Sequence, residues 1–287
     1  MIRFEYFEPS TLDEAVALLG RHGEKAQVLA GGTDLLVEIR EHLRRPRYVV
    51  NIKRIPGMDG LSFDAREGLR VGALVTTRTL EVMDEVRRHY PGLAQALREL
   101  GSIQVRNRAT LAGNICRASP SADTLPPLIA DGARVRLYGG AGTRELLLQE
   151  FFTGPGRTQL RPDELLTEIV VPPPPPRCGK VYIKHGRRKA MELATVGVAV
   201  SATLANGRFG EVRICLGAVA PTPIRAWKAE ALLAGHAPDS ASIAEAARAA
   251  GEESRPISNV RGSAEYRREM VGVLTRRALE QAVRAAS

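Results

Sequence analysis

The stretch that decides the fold is Leu29-Ala30-Gly31-Gly32-Thr33-Asp34-Leu35-Leu36, in which two glycines separate an apolar run from an amphipathic segment. The run Ala26-Gln27-Val28-Leu29-Ala30 predicts a strand, and the residues from Asp34 to Leu43 predict a helix. Glycine lets a ligand approach the backbone closely, and successive N–H groups before a helix can bind a diphosphate. Because the spacing is neither G-x-G-x-x-G nor a Walker loop, an ordinary Gly-Gly turn remains an alternative.

The polar residues of this stretch have different expected roles. The hydroxyl of Thr33 offers a further donor to a phosphate, whereas the carboxylate of Asp34 would repel one. We therefore expect Asp34 to cap or orient the helix. Because Tyr48-Val49-Val50-Asn51-Ile52 predicts the next strand, a strand-turn-helix-strand unit ends near Pro56.

A second candidate, Thr110-Leu111-Ala112-Gly113-Asn114, lies in a glycine-rich, loop-like stretch from Gly101 to Asp123. Its small residues, hydroxyl and amide suit a second phosphate-facing loop. The carboxylate of Asp123 could accept hydrogen bonds from sugar hydroxyls. Alternatively, the Ser/Pro-rich segment before it is a simple turn, and Asp123 caps a helix that begins near Thr124.

The middle of the chain predicts an α+β lobe. Strands are expected at Leu69 to Ala73 and Ala133 to Leu137, and a helix is expected around Pro91 to Leu100. Five consecutive prolines, Pro172 to Pro176, favour an extended boundary because proline breaks helices and central strands. We therefore divide the chain into domains at residues 1–56, 57–176 and 177–287.

The segment after the prolines predicts a small antiparallel sheet backed by helices. Val181 to Lys184 is typical of a strand, and Val196 to Leu204 can pair with Arg208 to Gly217 across Asn206-Gly207. Asn-Gly between apolar runs is a strong hairpin signal. Apolar residues at three- and four-residue spacing from Tyr266 onward predict a helix.

Composition excludes several classes of protein. Hydrophobic residues make up 44% and charged residues 25% of the 287 residues, as in globular proteins with cores of their own. We expect cytoplasmic residence, because no apolar run reaches the roughly 20 residues of a membrane span and the N-terminus lacks a signal-peptide pattern. The dispersed Cys116, Cys178 and Cys215 predict no iron-sulfur cluster or other metal site. The net charge of +9 is scattered without interleaved aromatic residues, so we do not expect nucleic-acid binding.

Several short segments connect these candidates with a known family. In chain order they are Ala30-Gly31-Gly32-Thr33-Asp34, Gln104-Val105-Arg106-Asn107, Thr110-Leu111-Ala112-Gly113-Asn114-Ile115, Ala118-Ser119-Pro120-Ser121-Ala122-Asp123, Phe151-Phe152-Thr153-Gly154, Leu216-Gly217-Ala218-Val219-Ala220 and Tyr266-Arg267-Arg268. Their order and spacing resemble the FAD-binding medium subunits of molybdenum hydroxylases, such as carbon monoxide dehydrogenase, xanthine dehydrogenase and hydroxybenzoyl-CoA reductase. The resemblance runs nearly end to end.

The resemblance implies a two-subdomain FAD-binding fold of the vanillyl-alcohol-oxidase/PCMH type, followed by a C-terminal α+β domain. It implies no catalytic residue and no metal ligand on this chain. Both small-residue segments would face the diphosphate, Leu100 and Leu166 would contact the isoalloxazine, and Lys184 would favour its anionic reduced form. The implied cofactor-binding residues are Leu29, Ala30, Gly31, Gly32, Thr33, Asp34, Leu35, Leu36, Leu100, Thr110, Leu111, Ala112, Gly113, Asn114, Asp123, Leu166 and Lys184.

The sequence departs from the family pattern at three places. Ala112 stands where many relatives have glycine, and Leu100 replaces an aromatic residue that some relatives stack on the flavin. The cysteine-rich cluster segment of the hydroxybenzoyl-CoA reductases does not occur in this sequence. A plain FAD subunit is therefore the better match.

The function implied by the resemblance is electron transfer. FAD would pass electrons from a small 2Fe-2S subunit to NAD, a quinone or oxygen, while a large subunit carries the molybdopterin. The family habit is a dimer of heterotrimers. Two alternatives remain: a free-standing flavin oxidoreductase with its own small-molecule substrate, and a non-enzymatic binding module suggested only by the charge.

Overall fold

The computed structural model describes residues 3–287, which form an α+β structure with sheets of three, five and four strands and a two-stranded ribbon. The first sheet is parallel, with the strand order β1-β3-β2. It is built from β1 (Glu5–Phe7), α1 (Leu12–His22), β2 (Ala26–Leu29), α2 (Leu35–Arg40) and β3 (Tyr48–Asn51). The predicted strand-turn-helix-strand unit is thereby confirmed.

Local interactions set the start of α1 and the end of α2. Thr11 begins α1, because its hydroxyl accepts a hydrogen bond from the Glu14 amide at 3.1 Å. Helix α2 is shorter than the predicted segment from Asp34 to Leu43, since His42 has a left-handed backbone with φ 60°. The sequence therefore predicted the position of this helix correctly but placed its C-terminal end too late.

The second sheet is antiparallel, with β10 at its centre in the order β4-β5-β10-β6-β7. Its strands and the adjoining ribbon are β4 (Leu61–Asp64), β5 (Gly68–Gly72), β6 (Arg134–Gly139), β7 (Gly142–Leu147), β8 (Phe152–Gly154), β9 (Arg157–Thr158) and β10 (Leu165–Val171). Its helices are α3 (Thr77–Val82), α4 (Asp84–His89), α5 (Pro91–Glu99), α6 (Ile103–Arg106), α7 (Leu111–Arg117) and α8 (Leu125–Ala130). The strands predicted on either side of α5 are confirmed.

The loop-like stretch from Gly101 to Asp123 was predicted wrongly, because it contains the short helices α6 and α7. Each helix begins at a capping hydroxyl. The Ser102 hydroxyl accepts from the Val105 amide at 3.3 Å, and the Thr110 hydroxyl accepts from the Gly113 amide at 3.0 Å. These helices are set by their caps and by packing, so apolar periodicity does not reveal them.

The third sheet is antiparallel in the order β11-β12-β13-β14. The prolines lie between its first strand and β10, and Pro172 to Pro175 have no regular structure. Asn206 and Gly207 have φ of 51° and 72°, as in a tight hairpin turn, so this prediction is confirmed. The elements are β11 (Cys178–His185), β12 (Val196–Ala205), β13 (Arg208–Gly217), β14 (Ile224–Arg225), α9 (Trp227–Leu233), α10 (Ser240–Glu253) and α11 (Ala264–Ala286).

This third sheet is covered on both faces. On one face, Val198 and Val200 pack in a core with α9, α10 and α11. On the other face, Ala199 and Cys215 join the core of the first two sheets beneath α5 and α8. No helix within residues 3–287 is long and apolar enough to cross a membrane.

Strand β11 joins the third sheet to the rest of the chain through alternate residues of one face. The Lys180 ammonium lies 2.7 Å from Asp131 Oδ1, and both side chains are at most 4% exposed. The Tyr182 hydroxyl and the Lys184 ammonium both donate to Asp123, each at 2.8 Å. Two buried ion pairs therefore fix the position of β11.

Removing one partner of such a pair leaves an uncompensated buried charge. We expect Lys180→Met to lower the free energy of unfolding by about 3 kcal/mol or more, measured by urea denaturation. Adding Asp131→Leu to Lys180→Met should restore most of the loss. Lys228→Met, at an exposed lysine of the same part of the chain, is the control. If Lys180→Met is as stable as the parent, the pair does not hold β11.

Candidate cofactor site

The two small-residue segments predicted from the sequence lie side by side. A β-carbon placed on Gly31 would lie 2.2 Å from the Arg108 carbonyl oxygen and 3.0 Å from Ala109 Cα. Only glycine therefore permits this approach of one main chain to another. Gly32, next in the chain, has φ 75°, a left-handed conformation that also favours glycine.

Both segments contain main-chain amides that have no protein acceptor in the described part of the chain. At the start of helix α2, the Leu36 amide donates to the Gly32 carbonyl at 3.0 Å. Within residues 3–287, the amides of Gly31, Gly32 and Thr33 have no protein acceptor, and neither does the Ala112 amide in the first turn of α7. Free amides at turns and helix starts are suited to an anion such as a diphosphate. The residues present therefore fit the phosphate part of FAD.

Gly113 does not contribute a free amide, because its N–H donates to the Thr110 hydroxyl. Gly113 is exposed, and a β-carbon there would touch only Thr110 Oγ1, at 2.9 Å. The neighbouring Leu111 is fully buried in the core. Ala112 is also buried, at 4% exposed, so Gly113 is the exposed part of the Thr110 to Asn114 segment.

An ion pair connects α2 with α7. Glu38 of α2 lies 2.7 Å from the Arg117 guanidinium of α7 and 2.6 Å from that of Arg44. The expectation that Asp34 caps α2 is wrong: its side chain makes no capping bond. A capping residue has an extended backbone, whereas Asp34 has φ −95° and ψ −52°.

A third group of predicted residues surrounds Lys184. Its ammonium donates to Asp123 Oδ2 at 2.8 Å, to the Glu99 carbonyl at 3.2 Å and to the Glu192 carbonyl at 2.7 Å. Leu100, which follows Glu99, is 9% exposed at the edge of this group. The alternative that Asp123 caps a helix is wrong, because Thr124 occupies the N-cap of α8 and Asp123 bonds across to β11.

The pKa of Asp123 is raised above its ordinary value. Burial raises its pKa to about 6, although the charge and hydrogen bond of Lys184 and the hydrogen bond of Tyr182 lower it. The Tyr182 pKa is raised well above its ordinary value, chiefly by burial and then by the Asp123 charge. The carboxylate therefore gains a proton close to pH 6, while Tyr182 remains a hydrogen-bond donor.

The remaining predicted residues connect these groups. Asn114 Oδ1 accepts from the Thr124 hydroxyl at 2.7 Å, which joins α7 to the residue next to Asp123. Leu166 of β10 is only 4% exposed and lies in the main core, where β10 packs against α7. The predicted residues are thus connected through α7, and Leu166 lies in the core where β10 packs against that helix.

Arg106 and Arg267 support this region, and the sequence had suggested no role for either. Arg106, buried with Glu81 at 2.7 Å, donates to the Leu100 carbonyl at 2.9 Å. Arg267, 3% exposed, donates to the Ala218 carbonyl at 3.0 Å, and the Ala218 amide donates to the Pro120 carbonyl at 2.7 Å. Both arginines occur in the segments that carry the family resemblance, and that resemblance could have indicated their role.

The raised pKa of Asp123 predicts a pH dependence of stability. Its folded pKa of about 6 lies above its ordinary value of 3.8. The stability that comes from protonation is therefore present at low pH and is lost as the pH rises through about 6. We expect the free energy of unfolding of the parent, minus that of Asp123→Asn, to fall between pH 4.5 and pH 7.5 in urea titrations.

Asp64→Asn is a matched control for this measurement. Backbone hydrogen bonds from Arg66 and Glu67 lower the pKa of Asp64, so this carboxyl titrates below the measured range. The parent-minus-variant difference for Asp64→Asn should stay flat. A flat or rising difference for Asp123→Asn would contradict the assignment of a raised pKa to Asp123.

Two family models match the chain. The FAD binding domain in molybdopterin dehydrogenase matches residues 2–174. The CO dehydrogenase flavoprotein C-terminal domain matches residues 181–282. The chain is 35% identical over 284 residues to the putative xanthine dehydrogenase FAD-binding subunit of Escherichia coli (strain K12), covering 98% of this chain and 96% of the relative. It is 35% identical over 280 residues to the carbon monoxide dehydrogenase medium chain of Hydrogenophaga pseudoflava, covering 98% of this chain and 97% of the relative.

Solved structures agree with these matches. Carbon monoxide dehydrogenase from Hydrogenophaga pseudoflava, which lacks the Mo-pyranopterin moiety, contains a chain that superposes with a TM-score of 0.96 at 36% identity, covering 100% of both chains. Quinoline 2-oxidoreductase from Pseudomonas putida 86 gives a TM-score of 0.91 at 29% identity, covering 99% of this chain and 98% of the other. The chain therefore belongs to the family of FAD-binding medium subunits of molybdenum hydroxylases, and it is an oxidoreductase subunit.

Proposed function

We propose that this chain binds one FAD with its diphosphate between the turn at Gly31-Gly32 and the start of α7. The supporting observation is the approach of Gly31 to the Arg108 carbonyl, because it places the free amides of Gly31, Gly32 and Thr33 next to the chain segment that leads into α7, where the Ala112 amide is also free. Several converging amides can bind a dianion without a dedicated side chain. The proposed contact residues are Leu29 to Leu36, Thr110 to Asn114, Leu100, Asp123, Leu166 and Lys184.

The polar group around Lys184 would serve the rest of the cofactor. Asp123, when ionised, accepts hydrogen bonds and can bind hydroxyls of the cofactor. All three protons of the Lys184 ammonium already have protein acceptors, so Lys184 acts through its charge. A buried cation next to Leu100 favours negative charge on a ring placed there. FAD, when bound, accepts electrons singly and releases them in pairs.

We infer that the electrons come from a 2Fe-2S cluster on a small partner subunit and leave to an external acceptor such as NAD, a quinone or oxygen. A large subunit would carry the molybdopterin, and the whole would form a dimer of heterotrimers. The names of the relatives support this inference, since they are a dehydrogenase FAD-binding subunit and a carbon monoxide dehydrogenase medium chain. Residues 1–56 and 57–176 would hold FAD, and residues 177–287 would close over the ring.

The first test concerns the glycine contact. Gly31→Ala places a methyl group 2.2 Å from the Arg108 carbonyl oxygen, so the two segments must separate. We expect the parent to bind about one FAD per chain, and Gly31→Ala to weaken FAD binding by a hundredfold or more, measured by fluorescence titration.

Gly154→Ala is the control for Gly31→Ala. A β-carbon at Gly154 meets only Arg157 Cδ, at 4.0 Å. This variant should bind FAD like the parent. Equal FAD affinity of Gly31→Ala and the parent would remove the basis of the proposal.

The second test concerns electron transfer. When this chain is isolated from its native extract with its partners, we expect the complex to contain iron, molybdenum and FAD. The separated chain should contain FAD alone, and its flavin should be reduced by a chemically reduced 2Fe-2S subunit. Rapid bleaching of the separated chain by an organic substrate would instead identify a free-standing flavin oxidoreductase.

A further inference from the structure

Two cationic side chains stand beside the glycine turn and were not among the predicted site residues. Strands β2 and β3 are parallel neighbours, so their carboxyl ends meet at one edge of the sheet. Ligands of open α/β sheets bind at this edge. Ala30 follows β2, and Lys53 follows β3 in a short 3-10 turn at Ile52–Arg54. The Lys53 ammonium donates to the Ala30 carbonyl at 3.2 Å.

The second cation is Arg108, whose carbonyl oxygen is the atom that faces Gly31. Its side chain is exposed, as is that of Lys53. Desolvation lowers the pKa of Lys53, the charge of Arg108 lowers it further, and Glu8 raises it. Lys53 is thus held at the Ala30 carbonyl, the Arg108 main chain lies against Gly31, and the Arg108 charge is close enough to act on Lys53.

Neither cation has a carboxylate of its own. Glu8 is already bound by Arg54 at 3.2 Å and by the Asn51 side-chain amide at 3.0 Å. Across the described part of the chain, no Asp or Glu oxygen lies within 4.0 Å of a charged nitrogen of Lys53 or Arg108. Two like charges held together without an anion repel each other, so an anion bound between them would be stabilised.

We propose that Lys53 and Arg108 bind the diphosphate of the cofactor and supply the countercharge that the uncharged turns lack. The proposal rests on the proposed function, because it needs FAD at the Gly31 turn. The amides of the turn give the diphosphate direction-specific hydrogen bonds. The two cations give it charge-assisted ones, which are about twice as strong.

The test is a titration of FAD with Lys53→Met, Arg108→Met and the double variant at low and high NaCl. The substitution at Arg108 keeps the main-chain carbonyl that contacts Gly31. At low salt we expect each single variant to bind FAD about tenfold more weakly, and the double variant about a hundredfold more weakly. The affinity of the double variant should depend less on NaCl than that of the parent, because salt screens charge interactions.

Arg54→Met is the matched control, because Arg54 is the next residue after Lys53 and is already paired with Glu8. It should bind FAD like the parent. The charge-conserving Lys53→Arg and Arg108→Lys should retain most of the affinity and the salt dependence, which loss of folding alone would not explain.

The outcomes separate this inference from the proposed function. If the parent binds FAD and the double variant binds it equally tightly, the cation proposal is overturned and the proposed function stands. The cation proposal is also overturned if Lys53→Met, Arg108→Met and Arg54→Met lose affinity alike, or if the salt dependence of the double variant equals that of the parent. If the parent does not bind FAD, the proposed function fails first.

Discussion

The contact of the main chain at Gly31 with the main chain at Arg108 is the constraint on which the site depends. Nothing larger than hydrogen fits at Gly31, since a β-carbon would lie 2.2 Å from a carbonyl oxygen. The contact places the turn after β2 beside the segment that leads into α7, and the ion pair from Glu38 to Arg117 connects α2 with α7. Because hydrogen bonds inside each segment leave several amides free, the same contact positions the amides of the proposed anion site.

The second constraint is the polar face of β11, which places the C-terminal sheet on the site. Lys180, Tyr182 and Lys184 alternate along one face and meet two buried carboxylates. Buried ion pairs are costly to desolvate, so their contribution lies less in net stability than in allowing one orientation only. The same arrangement gives Asp123 its raised pKa, since burial outweighs the neighbouring ammonium. The position of β11 and the electrostatics of the site therefore have a common cause.

Local signals predicted much of this structure. The Asn206-Gly207 hairpin and the strands on either side of the glycine turn followed from turn chemistry and apolar patterning. Helices α6 and α7 were missed because a capping hydroxyl, not an apolar period, begins each of them. Capping was expected of Asp34 and was the alternative for Asp123, because a carboxylate next to a helix start resembles a cap. The bonds of Asp123 to Tyr182 and Lys184 come from a distant strand, so a local pattern does not show them. The parallel pairing of β2 with β3 brings Lys53 to Ala30; the two strands were predicted, but no local motif marked Lys53.

The proposed site depends most directly on main-chain amides, and hydrogen–deuterium exchange observes amides individually. Exchange at Gly31, Gly32, Thr33 and Ala112 should be measured with and without saturating FAD. We expect FAD to slow exchange in both segments together, because one diphosphate would accept hydrogen bonds from both. Binding of FAD that leaves exchange unchanged in either segment would contradict it.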